Sequence, residues 1–466
     1  MKKIISAIAA SAIALSASVT SFASGFTSSM ETASANKDAI DIIYNGQLMT
    51  YKDAVPEIIN DRTMLPFRIA LENMGASVDF DDATRLVTAS LNGKTITFTL
   101  EDSVIYIDDN GQKSQVTLDT PMVIKNDRTL VPIRFISSAL GMQIGWDGDT
   151  KTVLIVDGDT YMKEFEKSAP NLISLADKTM PEYNTDSMEM TMKLDMEQGE
   201  EKINMSLGLA GDGKNADGVQ SANCKLSLDL GSMVPELAPI KDAAVEAVVA
   251  NGKIYFKTDV IEQLAKAAKD NESLNLIAKA VNGNEWYYVD IEKLFDKVSS
   301  LSPELAGMKD VYVKILNGDT KTLKKEDLTN IMKAAIVSEG DATVESAMMA
   351  DMMIDMYSVM DKYITVTDNS IAMKMDKNAF TEMIKATGVS EEELKEVADT
   401  MTFEIDVTST FDEKQAVSKG TINMGMDVEG MKMNLSLDIS STEKAEENVT
   451  PAEIPANATD IMTLIP

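Results

Sequence analysis

Thirty-two methionines in 466 residues give this sequence its most versatile chemistry. Met188, Met190 and Met192 alternate with Glu189, Thr191 and Lys193, and the spacing returns around Met205, at Met424 and Met426, and at Met431 and Met433. A spacing of two puts such residues on one face of a β-strand. A flexible, polarizable thioether can do three things there. It can fill a core in place of leucine, line a concave face that accepts apolar ligands such as acyl chains, or offer sulfur to Cu(I). Met188, Met190, Met192, Met205, Met424, Met426 and Met433 are the candidate ligand-binding residues, and plain core packing is the reading they must displace.

Other chemistry is excluded or undirected. The chain has no histidine, which removes Ser–His and Cys–His dyads and histidine-ligated zinc. The single cysteine, Cys224, allows no internal disulfide and has no imidazole to activate it, so it reads as a strand or core residue. Asp212 to Gly218 has the outline of a calcium loop, but Lys214 and Ala216 fall at alternate ligand positions and no glutamate closes it; a hairpin turn is expected. No catalytic residue, metal ligand or cofactor is assigned. Acidic residues are abundant enough to supply carboxylate pairs for glycoside hydrolysis anywhere, and none stands out. An envelope hydrolase using carboxylates of the C-terminal part is the alternative function. The net charge of −32 argues against nucleic acid, whose phosphates bind Lys and Arg clusters.

The elements that would position the methionines are long strands. Met188 to Met196 alternates, Gly199 turns the chain, and Ile203, Met205, Leu207 and Leu209 carry the alternation back. Further strands are expected at Cys224–Leu230, Ala243–Val249, Lys253–Lys257, Phe403–Val407, Gly420–Val428 and Met431–Ile439, with a tight turn at Asn251-Gly252. Amphipathic helices are expected at Val260–Ala268, Lys325–Ile336, Val344–Met360 and Ala379–Ala386. Strand blocks at both ends with helices between them imply one large antiparallel sheet, curved and covered by helices.

Ahead of this sheet the sequence is duplicated. Asn-Asp-Arg-Thr-x-x-Pro-x-Arg occurs at Asn60–Arg68 and at Asn126–Arg134, and the offset of 66 residues continues through Gly75 with Gly141, Phe80 with Trp146 and Asp81 with Asp147. In each copy Pro66 or Pro132 leads into a short helix, Phe67–Met74 or Ile133–Leu140, which Gly75 or Gly141 ends with a left-handed cap. A hairpin comes next, so each unit is expected to be a helix plus a hairpin. Arg62, Arg68, Arg128 and Arg134 suit structural pairing, with Asp61 and Asp127 beside two of them, better than capture of an anionic wall group. The motif's Asp, Thr and Arg are expected to cap the helix and pin its loop.

Residues 42–157, with Asn126 through Phe135 and the later Gly141-Met142 to Trp146-Asp147, resemble the copper amine oxidase N-terminal domain, also called the stalk domain. The resemblance implies a small α+β module used as a spacer or interaction unit on exported proteins of Gram-positive bacteria. It does not imply the oxidase, whose copper needs three histidines. The later strand order resembles the open half-barrel of bacterial lipoprotein carriers.

The N-terminus reads as a secretory signal peptide: Lys2 and Lys3, an apolar stretch over Ile4–Val19, and a small-x-small site at Ser21-Phe22-Ala23. The expected organisation is a signal peptide at 1–23, a flexible segment at 24–40, the stalk domain in two repeats at 41–157, a helix or linker at 158–180, the antiparallel sheet with helices at 181–440, and a polar tail at 441–466. The fold class is α+β, a duplicated helix-hairpin stalk followed by a half-barrel-like sheet. The expected function is that of a secreted or wall-associated, non-catalytic protein that does not span the membrane. Its partners would be cell-wall or surface components and an apolar small molecule or lipid.

Overall fold

The computed structural model describes residues 39–464 except 52–54, 61, 101–102, 119, 121, 127, 179–180, 232–237, 269–271, 302–342, 344–353, 387–390 and 429. The expected signal peptide and the expected helix Lys325–Ile336 lie outside these residues, as does the expected helix Val344–Met360 ahead of 354.

The N-terminal part runs β1 (Asp41–Tyr44), β2 (Gln47–Leu48), β3 (Glu57–Ile59), β4 (Arg62–Pro66), α1 (Phe67–Asn73), β5 (Ser77–Asp81), β6 (Leu86–Leu91), β7 (Lys94–Thr99), β8 (Val104–Asp109), β9 (Gln112–Thr117), β10 (Val123–Lys125), β11 (Arg128–Pro132), α2 (Ile133–Leu140), β12 (Gln143–Asp147) and β13 (Thr152–Val156). The two short helices and their following hairpins stand where the repeat puts them, yet the whole is a β domain and not a pair of helix-hairpin modules. The reason lies in strands of two to six residues, too short to announce themselves by alternation.

The repeated motif itself turns a hairpin. Ile59 pairs with Arg62 and Lys125 with Arg128, so Asn60 and Asn126 each open a two-residue loop, both at φ +51°. Asparagine tolerates that left-handed conformation better than most residues. The expected capping role is thereby corrected: Arg62 and Thr63 are strand residues, Pro66 is the N-cap of α1, and no side chain caps that helix. Asp61 and Asp127 lie outside the described residues. Arg68 sits 4.0 Å from Glu72, an exposed pair one helical turn apart. Gly75, at φ +86°, donates to Glu72 O while Ala76 donates to Leu71 O, the two bonds of a glycine-terminated helix end.

The duplicated units interlock. β4 and β11 pair with Leu65 opposite Val131, Met64 opposite Pro132 and Pro66 opposite Leu130. Shifting by 66 residues exchanges the outer two pairs and preserves the central one, as a two-fold axis through Leu65 and Val131 requires. The opening hairpin of each unit joins the closing hairpin of the other: β1 pairs in parallel with β13, and β8–β9 reaches β6 through β7. One core, including Leu65, Phe67, Leu71, Phe98, Val131 and Ile133, serves both units. Neither copy closes alone.

Asp157 ties the end of this domain to the helix behind it. Only 3% exposed, it caps α3 (Gly158–Ser168) by accepting from the backbone N–H groups of Asp159 (3.0 Å) and Thr160 (3.3 Å). Its other oxygen accepts from Tyr44 Oη (2.8 Å), Thr160 Oγ1 (2.6 Å) and Asn92 Nδ2 (3.1 Å). Burial first, and the charge of Asp157 second, push the Tyr44 hydroxyl well above its ordinary range. α4 (Pro170–Asp177) begins at Ala169, which has no capping side chain; Asp361 supplies the missing acceptor, taking Leu172 N–H at 2.8 Å and Asn171 Nδ2 at 3.1 Å. The segment expected as helix or linker is thus two packed helices, with Tyr161 and Phe165 buried.

The remainder forms β14 (Thr185–Gln198), β15 (Glu201–Ala216), β16 (Val219–Asp229), β17 (Ile240–Ala250), β18 (Lys253–Thr258), α5 (Val260–Ala267), α6 (Glu272–Ala280), β19 (Tyr287–Asp290), α7 (Ile291–Leu301), α8 (354–361), β20 (Ile364–Val366), β21 (Ser370–Asp376), α9 (Lys377–Ala386), α10 (Glu391–Thr400), β22 (Met401–Phe411), β23 (Gln415–Val428), β24 (Met431–Lys444) and β25 (Thr459–Asp460). All the strands join one twelve-stranded sheet, ordered β20-β21-β22-β23-β24-β14-β15-β16-β17-β18-β19-β25, curled in the manner of a half-barrel. Asn251-Gly252, at positive φ, makes the expected tight turn, and the turn expected over Asp212–Gly218 narrows to Asp217-Gly218, also at positive φ, because Asp212–Ala216 pair as strand. The strands exceed expectation: β15 has 16 residues, about 50 Å at the usual rise. The segment expected as tail is partly sheet, since β24 continues to Lys444 and β25 adds in parallel to β19.

Candidate ligand face

Antiparallel pairing decides which side chains share a side of the sheet, because residues directly opposite one another point the same way. Met192 stands between Leu207 and Leu437, Met190 between Leu209 and Ile439, and Met188 between Gly211 and Ser441. Met205 is opposite Leu194, Met424 lies between Phe403 and Leu435, and Met426 between Met401 and Met433. All seven candidate methionines therefore occupy one face. Their strand neighbours on the other face include Glu189, Lys193, Asp195 and Glu197.

Cover over this face changes across the sheet. On β22, Phe403, Ile405 and Val407 are buried in a core with residues of α3, α8 and α9, among them Phe165, Met356, Met360, Phe380 and Met383. Ile43, Leu154 and Val156 of the N-terminal domain belong to the same core. At the opposite wing Tyr287 is 1% exposed, and its hydroxyl donates to Ala280 O at the end of α6 while accepting from Asn282 N–H. Tyr287 pairs through Phe256 and Ala247 with Ala222, on the face that carries Cys224 and Met188. Between the wings, Met188, Met190, Met192, Leu207, Leu209, Leu435 and Leu437 are half-buried, and Met426 is 37% exposed. The result is an apolar floor with a helix-covered core on the β22 side; toward the other end Ala243 and Tyr287 are buried, and Val245, Val249, Ile254 and Phe256 on the same face stay half-buried.

The surroundings limit its chemistry. Three serines, Ser409, Ser418 and Ser441, form a buried row beside Met188, with Ser418 Oγ donating to Ser409 Oγ at 3.0 Å. Cys224 lies over Gly211, where an added Cβ would come within 2.7 Å of its sulfur; this is a packing role. A depression of about 310 Å³ lies on the opposite face, lined by Thr185, Ser187, Asp212, Lys214, Asn223 and Thr442 among others. Its lining side chains are polar. Among the described residues no group of three or more Cys, Asp and Glu is placed to hold a metal ion, and no helix is long and apolar enough to cross a membrane.

The seven-residue list omits partners of the same rank. Met196, Leu207, Leu209, Leu435, Leu437 and Ile439 share the face, and their strand alternation was the available signal. Which residues stand next to them across the sheet is fixed by register alone.

A family model of the copper amine oxidase N-terminal domain matches residues 43–155, which are the interlocked β domain from β1 to β13. The match covers about a quarter of the 466 residues, and that domain by itself is not catalytic. No curated protein and no solved structure matches the chain.

Proposed function

We propose that this is a secreted, envelope-associated and non-catalytic binding protein, in which the N-terminal β domain serves as spacer or contact unit and the long sheet carries an apolar small molecule or lipid. One observation carries the reading: a continuous floor of Met, Leu and Ile stays half-exposed across β23, β24, β14 and β15 while the same face is buried on β22. Leaving such a surface wet forfeits about 25 cal/mol per Å² of apolar area that a ligand would cover. Methionine, with three rotatable bonds, lets one floor accept chains of different shape. The lack of histidine in the whole sequence and the carriage of the methionines on strands rather than in a polar cleft favour holding over bond-breaking.

The test is lipid extraction with mass spectrometry on protein purified from its host, beside a Leu209→Lys variant that places a charge in the middle of the floor. A near-stoichiometric apolar compound, lost in the variant while the far-ultraviolet spectrum is kept, is expected. Ligand-free protein that also fails to take up a fluorescent fatty acid would contradict the proposal.

A further inference from the structure

At one end of the floor the sheet brings four methionines abreast. Met401 of β22 is opposite Met426 of β23, Met426 is opposite Met433 of β24, and Met433 is opposite Met196 of β14. Four thioethers from four consecutive strands thus stand in one row on one face, about 4.8 Å from strand to strand. Met431, two residues from Met433, lies on the same side. The row is reachable from solvent: Met426 is 37% and Met431 39% exposed, and Met196, Met401 and Met433 are half-buried.

The neighbouring row has a different make-up. There Phe403, Met424, Leu435 and Leu194 follow one another on the same four strands, with one sulfur among them, so apolar character alone does not require sulfur in four adjacent strands. A thioether is a neutral, soft donor that binds without losing a proton, and soft donors select Cu(I) among biological metals. Three adjacent strands place their methionine Cα atoms within about 10 Å of one another, a span that flexible side chains can close around one ion. The sequence contains no histidine to compete for it, and carboxylates are hard donors that favour other ions.

We propose that the row Met401, Met426, Met433 and Met196 is a binding site for a soft monovalent cation, Cu(I) or its redox-inert counterpart Ag(I), held by two or three of the sulfurs. The site stands apart from the apolar-ligand reading, because leucine preserves an apolar floor and abolishes sulfur coordination. The experiment titrates Ag(I) into the full protein labelled at its methionine ¹³C-methyl groups, and measures Cu(I) affinity against a chromophoric chelator under anaerobic reducing conditions. Expected are tight uptake of about one ion, with methyl shifts concentrated on the four residues. A Met426→Leu/Met433→Leu variant should then lose at least tenfold in affinity, and Met162→Leu, a buried methionine of α3, should bind as the parent does. No uptake in competition with the chelator, shifts spread evenly over all methionines, or equal affinity in the double variant would each overturn the site. The methyl shifts of the parent decide the matter even if the double variant fails to fold.

Discussion

The N-terminal β domain and the long sheet behind it both alternate buried and exposed side chains along their strands, and they complete that pattern differently. In the first, two copies of a unit exchange hairpins across Leu65 and Val131, and a shared core takes in most of the apolar side chains of both, leaving Ile58 and Ile124 of the outer hairpins exposed. In the second, the floor that is buried at Phe403, Ile405 and Val407 comes out half-exposed at Met190, Met192 and Leu209 within a few strands. Alternation states which side of a strand is apolar; it does not state what covers that side. The shared core supplies rigidity, and the contiguous half-exposed floor is where an apolar partner can gain free energy by binding.

Perturbing the joint should separate the two regions most strongly. Asp157→Ala leaves Tyr44 Oη, Asn92 and the start of α3 without their buried acceptor, and should cost about 3 kcal/mol or more in urea unfolding; a loss below about 1 kcal/mol would show that the joint is not the constraint inferred. Next comes a matched pair within the sheet itself. Met373→Ala, at a site 1% exposed under the helices, should cost about 2–5 kcal/mol, whereas Met192→Ala on the half-exposed floor should cost about 1 kcal/mol or less. Equal losses would mean that the floor is a core after all.

A smaller effect sharpens the comparison inside the duplicated domain. Gly75 and Gly141 both end a helix at positive φ, but an added Cβ meets nothing at Gly75 and comes within 2.7 Å of Lys94 Nζ at Gly141. That ammonium donates to Leu140 O at 2.9 Å and lies 3.3 Å from Asp159. Alanine should therefore cost about 1 kcal/mol at Gly75 and measurably more at Gly141. Calorimetry on the two variants reads the difference.

Smallest is the response to acid, which both regions should share. Backbone N–H groups of Ala83 and then Thr84 hold Asp81 below its ordinary 3.8, Ala379 N–H does so for Asp376, and Gln415 and Lys414 N–H groups for Asp412. Because the folded values are depressed, their stabilisation is complete above the unfolded value and is lost as pH falls past 3.8 into the folded range. Urea midpoints taken from about pH 5 to about pH 2.5 should fall, and Asp412→Asn should flatten part of that slope. A midpoint that rises on acidification would contradict the sign.

Local chemistry in the sequence carried much of this. Glycine at 75 and 141, the Asn251-Gly252 and Asp217-Gly218 turns, the helix Ile133–Leu140 and the wet and dry sides of Met188–Met196 are all set by the residues themselves. Long-range pairing is not. Nothing local tells β1 to lie along β13, β24 to lie along β14, or Thr459–Asp460 to return to β19. At Asn60 and Asn126 the proline and helix just beyond draw the motif's polar residues into an apparent capping role, whereas asparagine's tolerance of positive φ points to a turn. The candidate face was legible as seven methionines; its width, its covered β22 side and the lateral row at Met426 and Met433 depend on register.

The most direct test of the half-exposed floor is photo-crosslinking with a diazirine-bearing fatty acid, with peptide mapping of the intact protein afterwards. Adducts should fall on the apolar side of β14, β15, β23 and β24, at residues such as Met190, Met192, Leu209 and Leu437. Adducts confined to the N-terminal β domain, or spread over the side that carries Glu189, Lys193 and Asp195, would contradict the account.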